Sequence, residues 1–359
     1  MPKKGTLFET DLRALAEYVD TLLRCYSKAG RLDELPSVLE RLRDNINDVA
    51  WQRKTTYFHA LAALGEVWDE RAGRRELKKL GKVTHDDDAE TLQLYLDLFG
   101  DTLSFSEKQE IIDWILAVSE ELSDRLHYVG SRAVLYFTIG DRKRAEEELD
   151  QIIQEARSTD NRDLSAYTRH RLAMSMDLLG TIRSDQATLE EAASIYETLL
   201  EDDLWTERGR ADLLAELGQN YQHQSNWEAA KTAFSKAIDI AHVPIHSVFL
   251  SQSLLHLNQP DEAARILSDV SFDALAPAEQ VDCAFTIAAL AIRTGNKSKL
   301  DEAKVILKSV RPDAPMFREM RDDYLLSVQE SLSLPAPRLH LHNAPRRCSQ
   351  DLDAIFRTT

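Results

Sequence analysis

The chain has 359 residues, with 44 Lys and Arg against 61 Asp and Glu and a formal charge of −17 at pH 7. That balance argues against a general nucleic-acid binder, because neutralising phosphates takes a basic face. Only 12 Gly and 10 Pro, with Ala, Leu, Glu and Arg abundant, suit helices joined by short turns and leave little for a sheet protein.

The opening MPKKGTLFETD has no apolar signal core. No later stretch approaches the roughly 18 apolar residues that a membrane span needs. The expectation is a cytoplasmic protein with no membrane role. Tyr26, Gly30, Leu32, Glu34 and Leu39 read as a first helical hairpin, although Leu35 stands where a small residue is wanted. Leu61, Leu64, Gly65 and Trp68 read as a helix whose partner, GRRELKKLGKV, is poor. Arg71, Arg74, Arg75, Lys78, Lys79 and Lys82 form the one basic run, diluted by Glu70 and Glu76 and followed by Asp86 to Asp88, and read as a solvated helix face. Residues 88 to 121 give two helical stretches, the second carrying Ile111, Ile112, Trp114, Ile115 and Val118.

From residue 124 the pattern sharpens. Ala133, Tyr136, Gly140, Asp141, Ala145 and Leu149 make a hairpin that turns at Gly140. Two further copies, with Leu189, Glu190, Glu191, Ala192 and Tyr196 and with Leu300, Asp301, Glu302, Ala303 and Leu307 in their second helices, are read with extended turns after Gly180 and Gly295. Residues 211 to 244 carry the most regular copy. Leu214, Leu217, Gly218 and Tyr221 fall at i, i+3, i+4 and i+7, and Ala230, Phe234 and Ala237 stripe a second helix. Ser225 and Asn226 break the run; Gly218, Ala230 and Ala237 are small where the two helices come closest. Pro244 predicts that the second helix stops near Ala241. Its successor follows at once with Leu250, Leu254, Pro260, Ala263 and Leu267. Residues 315 to 333 read as one more helix, and from Leu334 three prolines and four arginines mark a basic tail whose run Leu352 to Phe356 could dock or fray.

Leu217, Gly218, Tyr221, Ala230, Phe234, Ala237 and Pro244 together resemble the signature of a tetratricopeptide repeat. The resemblance covers roughly 11 to 310, strongly from 124 and weakly between 47 and 121. It implies an all-α fold, a right-handed superhelical solenoid of about eight antiparallel hairpins over 1–310, a capping helix at 311–333 and a flexible tail at 334–359. The anchors Ala145, Ala192, Ala230, Ala263 and Ala303 are spaced by 47, 38, 33 and 40 residues, against about 34 in the family, so the superhelix is expected to be non-uniform.

No phosphate-binding loop, nucleophile elbow, zinc-protease or CxxC motif occurs. Cys25, Cys283 and Cys348 are odd in number and far apart, which fits a reducing compartment. His242 and His246 have helical ligand spacing, but Pro244 lies between them; His340, His342 and Cys348 lack a fourth ligand. Acidic pairs such as Glu190 and Glu191 sit where they favour a helix dipole. The expectation is no enzyme and no cofactor. In the family the first helices line the concave wall, which implies a protein or peptide partner on Gln219, Gln222 and His223 and, one repeat on, on Phe249, Gln252, Leu255 and His256, with His170 and Arg293 extending the strip. Ordinary surface polarity is the competing reading for all of them. The Lys, Asn and Arg that the branch binding chaperone tails uses are replaced here by Gln, Ala and apolar residues, which disfavours that function. A scaffold or adaptor is the first expectation; a peptide-sensing regulator resembling those of bacteria, or a regulatory subunit of an enzyme assembly, are the alternatives.

Overall fold

The computed structural model describes residues 75, 78–87, 89–100, 103–159, 164–202, 204–311 and 315–333. The hairpin around Tyr26, the helix around Leu61, Cys25, and the tail with His340, His342, Cys348 and Leu352 to Phe356 lie outside them. The chain divides into two compact units, Met1–Ser119 and Glu120–Thr359. Among the described residues every regular element is a helix.

In the first unit a short 3-10 turn, Lys78–Leu80, precedes helices α1 (Ala89–Phe99) and α2 (Phe105–Val118). Arg75, Lys78, Lys79 and Lys82 are exposed. The two helices pack on each other, with Leu92, Phe99, Ile111, Ile112 and Ile115 buried. Helix α2 starts where it does because Ser104 and Glu107 form a reciprocal capping box, the Glu107 carboxylate accepting from the Ser104 N–H at 2.9 Å.

The second unit is a stack of hairpins: α3 (Leu122–Thr138) with α4 (Arg142–Ser158), α5 (Ala166–Arg183) with α6 (Gln186–Leu200), α7 (Glu207–His223) with α8 (Trp227–Ile240), α9 (Pro244–His256) with α10 (Pro260–Ser268), and α11 (Pro277–Thr294) with α12 (Lys297–Ser309). Each helix packs on the next in sequence, and first helices also meet first helices: α3 on α5, α7 on α9, α9 on α11. That second set of contacts turns the hairpin row into a wall. Helix α13 (Pro315–Ser333) packs on α11 and α12 and also comes within 8 Å of α3.

One backbone device makes all five hairpins. Gly140, Ser184, Ser225, Asn258 and Gly295 take positive φ, between 55° and 85°. In each case the next N–H, of Asp141, Asp185, Asn226, Gln259 and Asn296, reaches back to a carbonyl five residues earlier at 2.8–2.9 Å. This is the left-handed C-terminal cap that satisfies the orphan carbonyls of a helix end. The same polar residue then opens the next helix: the side chains of Asp141, Asp185, Asn226 and Asn296 accept from N–H groups of its first turn. Gln259 makes no such bond, and Pro260 at the first helical position takes over by presetting φ and by having no N–H to satisfy.

This register corrects the sequence reading of two turns. The bends near Gly180 and Gly295 are not extended; they are the same tight turn, at Ser184–Asp185 and at Gly295–Asn296. The in-register anchors are therefore Leu189 and Leu300, one helical turn before Ala192 and Ala303, and all four are buried. Gly180 lies inside α5, where an added Cβ would stand 2.9 Å from Leu189 Cγ. Pro244 does end the preceding helix, with Ala241 as its C-cap, and it also begins α9.

Close approach at the regular copy rests on Gly218, whose missing Cβ leaves room for the fully buried ring of Phe234. At the far end Tyr324 of α13 lies with its ring 4.1 Å from that of Phe285, in a core with Leu300, Ala303, Leu307, Met320 and Val328.

Candidate interaction site on the inner wall

With the positive-φ residue of each turn as origin, equivalent positions of the first helices line up as rows along the wall. Thirteen residues before it stand His127, Arg171, Asp212, Ile245 and Asp282; nine before, Ser131, Ser175, Glu216, Phe249 and Thr286; six before, Val134, Leu178, Gln219, Gln252 and Ala289. The wall is not closed between α3, α5 and α7. A cavity of about 260 Å³ opens there, lined by Leu126, His127, Gly130, Ser131 and Val134 of α3, by Arg171, Met174, Ser175, Asp177 and Leu178 of α5, by Glu216 and Gln219 of α7, and by Tyr196 from α6 behind. Val134 and Met174 are 44% and 36% exposed, unusual for large apolar side chains on a packed wall.

Polar side chains bridge α5 and α7 around this opening. His170 Nε2 lies 2.5 Å from a Glu216 carboxylate oxygen. Asn220 Nδ2 donates to Asp177 Oδ1 at 2.6 Å, and His223 Nδ1 lies 3.0 Å from Thr181 Oγ1 and 3.3 Å from Asp177 Oδ1. Among the described residues no group of three or more His, Cys, Asp or Glu is placed to hold a metal ion, and His246 is buried inside α9.

The residues singled out from the sequence distribute unevenly over this geometry. Gln219 lines the cavity. His170 borders it, held by Glu216 with its ring edge-on to Tyr196 and Trp205. His223 belongs to the Asp177 network. Gln252 is tied to Thr286 Oγ1 at 3.0 Å, and Arg293 to Asn258 Oδ1 at 3.3 Å. His256 stacks flat on Trp227 at 3.5 Å. Phe249 is half-buried beside Phe234, with ring centroids 5.8 Å apart. Gln222 and Leu255, at 9% and 1% exposure, lie inside the packing instead of on the wall. Gln222 donates to the Phe249 carbonyl and to Ser253 Oγ, so its amide is used as a strut between α7 and α9. His127, Val134, Arg171, Met174 and Ser175 were missed; counting the same offsets back from Ser184 and Gly140 reaches the rows that hold all of them except Met174, which precedes the row of Ser175 by one residue.

Burial sets the protonation of several wall groups. Desolvation, helped by Arg171, pulls His127 down to about 4, and desolvation with Arg293 nearby pulls His256 down to about 3. Burial and Glu279 push Asp282 up to about 7. His256 is thus neutral when folded down to about pH 3, whereas it takes a proton below about 6.5 when unfolded. Its folded pKa is lowered, so its neutral form favours folding least at low pH: stability is lost as pH falls from about 6.5 toward 3. Substituting His256→Phe keeps an aromatic face for Trp227 and removes this proton. Urea midpoints between pH 7 and pH 4 should show the variant losing less stability than the native chain; parallel profiles would refute the assignment.

No protein-family model matches the sequence, and comparison with curated proteins finds no match. Solved structures do match. A Rap protein complexed with Competence and Sporulation Factor aligns over 88% of this chain and 97% of its own, at 10% identity and a TM-score of 0.52. The apo form of the quorum sensor NprR from B. thuringiensis aligns over 95% of this chain and 99% of its own, at 15% identity and a TM-score of 0.50. At such identities the likeness is one of fold, and it agrees with the hairpin stacking and the repeat signature: the chain is a tetratricopeptide-like α-helical solenoid.

Proposed function

We propose that this chain is a non-enzymatic interaction module that holds a peptide segment on the wall formed by its first helices. The observation that carries the reading is the cavity between α3, α5 and α7, where exposed Val134 and Met174 adjoin Arg171, Glu216 and Gln219. Exposed apolar side chains beside a few convergent polar groups are what a recognition pocket needs. A right-handed superhelix of about eight hairpins with α13 as its cap would present this wall as a continuous groove; the packing of Tyr324 and Met320 over Phe285 supports the capping role. Among the described residues no helix is long and apolar enough to cross a membrane. A cytoplasmic setting is part of this reading; the Cys283 thiol, buried and pushed up to about 12 by burial, is an unreactive packing group.

Regulation by a peptide is the form of this function that the fold neighbours favour, one having been solved with Competence and Sporulation Factor and the other being a quorum sensor. The approach of α13 to α3 supports it from within the chain, because a ligand that shifts the first helices would act on that contact. The test is affinity capture from native extract with the native chain and with a Val134→Glu, Met174→Glu variant, followed by thermal melts with the captured partner's peptides. A stoichiometric partner that the variant loses, and whose peptide raises the melting temperature of the native chain alone, is expected. Equal capture by both chains would overturn the groove assignment.

A further inference from the structure

The acidic side of the cavity and the basic stretch that follows α13 are complementary. Glu216 uses its Oε2 on His170, and Asp177 uses its Oδ1 on Asn220 and His223. Their other oxygens, Oε1 and Oδ2, meet no donor among the described residues, and both side chains line the opening. Arg171 of the same lining is turned to its own helix, where it donates to the Tyr167 hydroxyl at 2.6 Å. The opening therefore offers carboxylate oxygens beside the exposed side chains of Val134 and Met174. An occupant that carries arginine and apolar residues together, and no carboxylate of its own, fits it. Residues 334–350, LPAPRLHLHNAPRRCSQ, have that composition: Arg338, Arg346 and Arg347, Leu339 and Leu341, and no Asp or Glu, in a chain whose formal charge is −17.

We infer that residues 338–347 occupy this cavity as a self-ligand, with leucine side chains against Val134 and Met174 and an arginine at Glu216 or Asp177, so that an outside peptide must displace them. This rests on the peptide-binding reading of the same wall and adds a built-in competitor. Reach allows it. Helix α13 comes within 8 Å of α3. Whichever of its residues does so, Ser333 lies within about 28 Å of that residue, the length of 19 residues of helix. No residue of α3 is more than four positions from Leu126, His127, Gly130, Ser131 or Val134, which line the cavity. Extended chain from Ser333 to Arg347 spans up to about 46 Å. Pro335, Pro337 and Pro345 favour extended backbone over helix, and in extended chain Leu339 and Leu341, two apart, share one face. Tethering gives such a segment an effective concentration on the order of millimolar, so even weak docking competes with a free ligand.

The test uses the full chain and, as probe, the synthetic peptide of residues 334–350, acetylated and amidated so that no terminal charge contributes. Its binding is measured by titration calorimetry to the native chain and to a full-length variant carrying Leu339→Asp, Leu341→Asp, Arg346→Glu and Arg347→Glu. That variant should bind the probe about tenfold or more tightly than the native chain, because its internal competitor is gone. The milder Arg338→Gln, Arg346→Gln, Arg347→Gln variant should show part of the gain, and adding Val134→Glu and Met174→Glu to either should abolish binding. Equal affinity for native chain and variants, binding that survives the cavity substitutions, or no binding to any of them would overturn the inference. A captured partner's peptide that still raised the melting temperature would then leave the peptide-binding reading standing. Light scattering over a hundredfold dilution should find the native chain and the variants in the same oligomeric state. Self-association of the native chain that the variants lose would place the segment in the groove of a second copy and overturn the internal docking.

Discussion

Replacing Gly218 by alanine should destabilise the second unit by about 1–3 kcal/mol, the usual result of overpacking a filled core. An added Cβ would stand 2.8 Å from Phe234 Cε1 and 2.9 Å from Cζ. The ring cannot swing away, because Phe234 is 0% exposed within a core of Leu214, Ala230, Ala237, Leu250 and Leu254. The complementary deletion, Phe234→Ala, removes the ring and should cost about 3–5 kcal/mol through lost burial and the void left behind. These two sites touch, so they should not add. A Gly218→Ala, Phe234→Ala double variant should recover about 0.5–3 kcal/mol relative to the sum of its single variants. Chemical denaturation of the four proteins closes the cycle. Strict additivity would mean that Gly218 is small for some reason other than the ring it faces.

That hairpin was legible in the sequence because its stripes, its breaker and its small residues all point the same way. Gly218, Ala230 and Phe234 meet as their spacing predicts, and Ala241 ends the helix ahead of Pro244. The turns at 184 and 295 were harder. Gln186, Ala187 and Thr188, like Lys297, Ser298 and Lys299, are weakly apolar and read as loop. They are helical because Asp185 and Asn296 cap them, the latter accepting from the Lys299 N–H at 3.2 Å. A serine at φ 55° gives no sequence signal comparable to Gly140, so Gly180 drew the turn four residues early.

The wall was legible as rows and less so as chemistry. Gln219 and Gln252 are equivalent, as are His223 and His256, and the turn register keeps them so. Gln222 and Leu255 lie three residues before the turn, where a helix points into the packing; Phe137, at the same offset, is buried as well. Polarity misled at Gln222, because a buried amide is stable once the Phe249 carbonyl and Ser253 hydroxyl take its protons. The amides and imidazoles expected to meet a partner are largely spent on neighbouring hairpins: Gln252 on Thr286, His256 on Trp227, His223 on Thr181 and Asp177. What the wall leaves open is the less regular stretch upstream, where Val134 and Met174 are exposed at the cavity between α3, α5 and α7.

Filling that opening should separate stability from function at a single position. Gly130 sits inside α3 on the cavity lining, and a Cβ added there meets only Ser175 Oγ, at an ordinary 3.7 Å. Gly130→Ala should therefore stabilise the chain by about 0.5–1 kcal/mol, the difference between glycine and alanine within a helix. Gly130→Leu keeps most of that gain and extends its side chain into the space between Val134 and Met174. If this space is where the partner's segment enters, the leucine variant should melt no lower than the native chain and yet lose binding to its captured partner by at least about tenfold, as expected when a ligand group is excluded from its pocket. The alanine variant should bind nearly as well as the native chain. Leucine and native chains that bind alike, with the melting temperature raised as described, would move the site away from the α3–α5–α7 opening and onto another part of the wall. A leucine variant that melts early would mean that the space between Val134 and Met174 is closed in solution, and would overturn the assignment as well.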